Sequence, residues 1–63
     1  MSKVIYSFSV GNQTVIVLDK IEKDFKKVEI DGEIYNVLPA YDIENAIVIN
    51  SKKDFSDKTV NLI

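Results

Sequence analysis

Apolar and polar residues alternate through the first two-thirds of the chain with the period of two that marks a half-buried strand. Val4–Val10 and Gln13–Leu18 are separated by Gly11-Asn12. Glycine at the first central position suits the type II′ turn of a two-residue hairpin. Phe25–Ile30 and Glu33–Leu38 flank Asp31-Gly32, a dipeptide favoured in type I′ turns. A loop at 11–12 sets Phe8 opposite Val15 and Tyr6 opposite Val17, gathering four apolar side chains on one face. A loop at 31–32 sets Val28 opposite Tyr35 and Lys26 opposite Val37, with Ile30 on the same face. Turn chemistry and alternation agree in both hairpins, which is the consistency a real assignment requires.

The other faces are apolar too. Ile5, Ile16 and Leu18 share one in the first hairpin; Phe25, Ile34 and Leu38 share one in the second. A flat sheet with one wet face does not need them. Either the sheet coils into a small barrel, or a second copy or partner covers the second face. Barrel closure is the simpler account and is the expectation here.

Between the hairpins, Asp19 and Glu22 have capping-box spacing, and Ile21 and Phe25 are four apart. This predicts a single helical turn over Asp19–Asp24. Pro39–Asn45 reads as an irregular connection. Ala46–Asn50 is apolar enough for a central strand. Ser51–Asp57 is a polar loop broken by Phe55, and Thr59–Ile63 is a closing strand. Phe25 and Phe55 are expected to tuck their loops onto the core.

A faint internal echo runs through the chain. Val15–Asp19, then Lys23-Asp24-Phe25, then Val28-Glu29-Ile30 is matched by Ala46–Asn50, Lys53-Asp54-Phe55 and Val60-Asn61-Leu62. It reads either as a duplicated supersecondary unit with pseudo-twofold packing, or as coincidence in a chain rich in Lys, Asp and Ile.

Composition supports the strand assignment and narrows the chemistry. Nine Ile and eight Val stand against three Leu, two Ala and one Met, and branching at Cβ favours the pleated strand over the helix. With 63 residues there is one domain, Met1–Ile63, whose folding buries ~60% of the unfolded chain's surface. Cysteine and histidine are absent, which removes disulfides, thiolate metal sites, the commonest general base and any triad. Richness in Lys, Ile, Asn and Asp without arginine is typical of AT-rich coding sequence and points to a low-GC bacterium, a phage or a mobile element. No apolar run serves as a signal peptide or approaches the ~18 residues of a membrane span, so a cytoplasmic location is expected.

Candidate chemistry is sparse. Asp42 with Glu44, or Asp54 with Asp57, offers a carboxylate pair, but loop acids in an acidic soluble protein are usually solvated. Asp19, Glu22 and Asp24, or Asp54 and Asp57, supply oxygen ligands without the spacing of a calcium loop. The two glycines are both needed for turns, leaving none for a phosphate loop. No cofactor or metal is expected, and the protein is read as non-enzymatic.

The expected fold is therefore all-β. It is a small barrel or roll of five to six short antiparallel strands, SH3-like or OB-like, built from two consecutive hairpins with one short helical turn. The expected function is that of a small interaction or regulatory protein, with an unknown protein partner or self-association as a homodimer. Tyr41, Ile43 and Phe25 are the candidate contact residues. The alternative is an OB-like single-stranded nucleic-acid binder using Lys52 and Lys53. A net charge of −2 and the lack of arginine weigh against nucleic acid.

Overall fold

Both tight turns form as their residues dictate. Gly11 takes a φ of +61° while Asn12 does not go positive, the type II′ pattern; Asp31 and Gly32 are both positive, at 54° and 80°, the type I′ pattern. The computed structural model describes residues 1–21, 24–40 and 43–63. Among them are six strands: β1 (Ser2–Val10), β2 (Gln13–Leu18), β3 (Lys27–Ile30), β4 (Glu33–Pro39), β5 (Ala46–Ile49) and β6 (Thr59–Leu62). The predicted registers Phe8–Val15, Tyr6–Val17 and Val28–Tyr35 are all present. Lys26 instead sends its N–H to the Ile63 carbonyl at 3.0 Å.

The six strands close into a barrel in the ring order β1-β2-β5-β4-β3-β6, every neighbour antiparallel. Closure removes most free edges and encloses one face of the sheet, so no second chain is needed to cover that face. Inside lie Val4, Ile16, Leu18, Val28, Ile30, Ile47, Ile49, Val60 and Leu62, with Phe55 as a plug. Phe55 meets Tyr35 edge-on, with ring centroids 5.5 Å apart. Phe25 packs against this cluster but is only partly buried.

Two expectations are corrected. No helical turn is seen among the described residues of 19–24, and Glu22 and Lys23 lie outside them. The Asp19 carboxylate does not cap a helix there; it accepts the N–H of Lys3, 3.0 Å away across the strands.

The second correction is that the first hairpin turns the other face inward. Ile16 and Leu18 fill the barrel, while Tyr6 and Phe8 stand outside at 51% and 37% exposure. The turn sets which residues pair, but not which face is buried when both are apolar. A bulge makes the switch on β1: Val4 pairs with Leu18 and Tyr6 with Val17, leaving Ile5 as the extra residue. Val4 therefore points in, whereas Tyr6, Phe8 and Val10 point out.

The ring order also bears on the internal echo. Exchanging β1 with β4, β2 with β5 and β3 with β6 returns every strand pairing to an existing pairing. The registers agree. Val15–Val48 exchanges with Val17–Ala46 about Ile16–Ile47, and a second crossing point lies at Glu29–Asn61. The barrel is two three-strand units about a pseudo-twofold axis, and Phe25 and Phe55 occupy equivalent turns.

Candidate interaction surface

The outside of the barrel is divided in two. On the β3–β6 side the outward residues include Lys27, Glu29 and Asn61, with the Asn61 amide donating to Glu29 at 3.5 Å. On β1, β2, β5 and β4 the outward positions read Tyr6, Phe8, Val10; Gln13, Val15, Val17; Ala46, Val48; and Ile34, Asn36, Leu38. None of these is Lys, Asp or Glu; the charged residues of the four strands, Lys3 and Glu33, are exposed at strand ends. The ladder lines them up: Leu38, Val48, Val15 and Phe8 form one row, and Ala46, Val17 and Tyr6 form the next. Tyr6 and Phe8 stack at 5.9 Å with a 22° interplanar angle.

The centre of this face is covered by its own chain. Ala40 and Ile43, from the β4–β5 connection, pack with Val48 on the buried trio Val15, Val17 and Ala46. Asn45 holds that connection in place at a φ of 56°, its carbonyl accepting the Leu18 N–H at 2.8 Å; asparagine tolerates this left-handed conformation. The margins stay bare. Ile5, Tyr6, Phe8, Val10 and Leu38 are between 37% and 61% exposed.

The candidates from sequence distribute as follows. Ile43 belongs to the cover over the outer face. Phe25 lines a cavity of about 480 Å³ together with Ile21, Val37, Leu38, Ala40 and Ile47. Tyr41 and Asp42 lie outside the described residues. Lys52 and Lys53 border a groove of about 510 Å³ with Ser7, Phe8, Ser9, Asp54 and Ser56. Lys53 is engaged: its Nζ lies 3.3 Å from Glu33 Oε2 and 3.2 Å from the Tyr35 hydroxyl, which itself donates to Glu33 at 2.8 Å. These contacts hold the Glu33 carboxyl below its ordinary range, the Tyr35 hydroxyl first and Lys53 second, and raise the Lys53 ammonium.

Among the described residues, no group of three or more acidic side chains is placed to hold a metal ion. Asp54 accepts the N–H of Ser56 at 2.9 Å, and its pKa is lowered by hydrogen bonds from the Ser56 side chain and backbone. Asp57 sits in the same turn at a φ of 63°. Sequence reasoning missed Tyr6 and Phe8 as surface residues. Ile5–Val10 carries no charge and no proline and alternates bulky apolar residues with serine, a pattern that fits an inward or an outward face equally.

No family model matches the chain, no curated protein is significantly similar to it, and no solved structure matches it. No helix among the described residues is long and apolar enough to cross a membrane.

Proposed function

We propose that this protein is a small non-enzymatic interaction protein, and that the outer face of β1, β2, β5 and β4 meets a second copy of the chain. The observation that carries this reading is a set of exposed apolar residues, Ile5, Tyr6, Phe8 and Val10 on β1 with Leu38 on β4, on a molecule whose opposite side is polar. Lone exposed apolar residues are ordinary, but a contiguous patch marks a contact surface.

Charge selects the occupant. Two copies each carrying −2 repel one another, and they do so least where neither contributes an ionisable carboxylate or ammonium. An isologous twofold contact brings Tyr6 and Phe8 of both copies to its centre, where aromatic anchors contribute most. The nucleic-acid alternative has less support, because Lys53 is already shared between Glu33 and Tyr35.

Sedimentation velocity from micromolar to near-millimolar concentration tests the reading, together with Tyr6→Lys and Leu38→Lys. Both residues are about half exposed, so the variants keep the native amide spectrum. The expected outcome is a wild-type dimer and monomeric variants. A wild-type protein that stays monomeric throughout overturns the proposal.

A further inference from the structure

One of the places where the pseudo-twofold symmetry breaks leaves a strand edge open. β3 pairs with β4 over four residues, but its counterpart β6 pairs with β1 only at Ser2–Val60 and Lys3–Thr59. Beyond Val4, whose N–H reaches the Lys58 carbonyl at 3.0 Å, the chain leading back from β6 diverges from β1. The groove lined by Ser7, Phe8, Ser9, Lys52, Lys53 and Asp54 lies in that gap.

Backbone geometry shows what the gap exposes. Across a two-residue loop, Val10 and Gln13 exchange both of their hydrogen bonds, and so do Phe8 and Val15 at the next such pair. Ser7 and Ser9 fall between these pairs, so their N–H and C=O groups point away from β2 toward the groove. Among the described residues no backbone group pairs with them. The Phe55 N–H, 3.3 Å away, bonds the Ser7 hydroxyl and leaves the Ser7 peptide groups free. The usual defences of a strand edge, charge or proline, are missing from Ile5–Val10.

We infer that this edge of β1 binds an extended, acidic segment of a protein partner by strand addition. The ladder comes from Ser7 and Ser9, and the charge preference from Lys52 on the facing wall, where the Lys53 ammonium is already shared with Glu33 and Tyr35. The single acid in that wall, Asp54, has its carboxylate turned to the Ser56 N–H. A second copy of β1 is the poorer occupant, because its Ile5–Val10 stretch is uncharged and a twofold pairing would bring the two Lys52 side chains together. The groove shares Phe8 with the proposed dimer face but draws its ladder from Ser7 and Ser9, so the two readings are tested by different variants.

The probe is a blocked eight-residue peptide of alternating valine and glutamate, titrated into ¹⁵N-labelled protein. Expected are shifts of the Ser7 and Ser9 amides and weakening of binding by added salt. Alternate N-methylation of the peptide discriminates the mode: one set of alternate positions loses at least tenfold in affinity and the other set loses little. Ser9→Pro removes an edge donor that no strand in the barrel uses, and proline is tolerated there; it also loses at least tenfold while its spectrum stays folded. Lys52→Glu weakens binding several-fold. Equal binding by both N-methylated peptides, or no binding at about 1 mM, overturns the inference. Tyr6→Lys, monomeric or not, retains peptide binding, so failure here is separable from failure of the dimer.

Discussion

At the scale of single residues, Thr14 ties the start of the long 51–57 loop to the barrel. It is fully buried on β2, and its hydroxyl donates to the Ser51 carbonyl at 2.6 Å while accepting the Lys53 N–H at 3.2 Å. Thr14→Val keeps the shape and removes both hydrogen bonds from a part-buried site, a cost of about 1 kcal/mol. Thermal unfolding measures that cost, and fast exchange of the Lys53 amide reports the released loop. The two equivalent phenylalanines make a second comparison at this scale. Phe55 is 4% exposed inside the barrel, whereas Phe25 is half-buried at a cavity wall. Phe55→Ala is expected to cost about 3–5 kcal/mol and Phe25→Ala clearly less, as denaturant titration of the pair will show. Equal losses would mean the two turns pack alike, contrary to the difference in burial.

Strands and turns obey rules that act over a few residues, which is why so much at this scale was legible in advance. Gly11-Asn12 and Asp31-Gly32 announce their turn types because only certain residues tolerate positive φ, and the turns then set register by counting. What could not be read locally was the identity of the inward face on the first hairpin. Ile16 and Leu18 compete with Val15 and Val17 for the interior, and the choice depends on strands thirty residues away, with β5 placing Ile47 against Ile16. The bulge at Ile5 is invisible for the same reason: it reconciles an inward Val4 with an outward Tyr6, and neither demand arises within β1. The contact face was hidden with it, because Tyr6 and Phe8 had been assigned to the core. The pseudo-twofold axis makes a prediction about elements. Ile16 and Ile47 pair with each other at the axis and are both almost fully buried, so Ile16→Val and Ile47→Val should cost the same, about 0.5–1.5 kcal/mol each. A large difference in denaturant midpoints would show that the symmetry of pairing does not extend to packing.

For the molecule as a whole, the distribution of charge sets how stability responds to pH. With no histidine or cysteine, no side chain has an ordinary pKa between those of the carboxylates and those of tyrosine and lysine. At the acid end, Asp19 is lowered first by the Lys3 N–H, Glu33 by the Tyr35 hydroxyl and Lys53, and Asp54 by Ser56. A carboxylate with a lowered folded-state pKa stabilises the fold above its unfolded value. That contribution is lost as pH falls through the folded value. At the alkaline end, Lys53 is raised by the Tyr35 hydroxyl and Glu33, and Lys58 by Asp31 at 2.7 Å. These contributions are complete below the ordinary lysine value and disappear as pH climbs through the raised one. All five groups are exposed to solvent, so each contributes little and salt screens it further. The expected profile is a flat melting temperature from about pH 6 to 9, declining below about pH 4.5, with a shallower acid limb in Glu33→Gln. Self-association sharpens the test, because a dimer face without ionisable carboxylates or ammonium groups adds no proton linkage of its own. Melting temperature should therefore rise with protein concentration by the same amount at pH 6 and at pH 8, both well below the ordinary tyrosine value. A concentration dependence that differs between those two values would place a titrating group in the contact, which is incompatible with the face formed by β1, β2, β5 and β4.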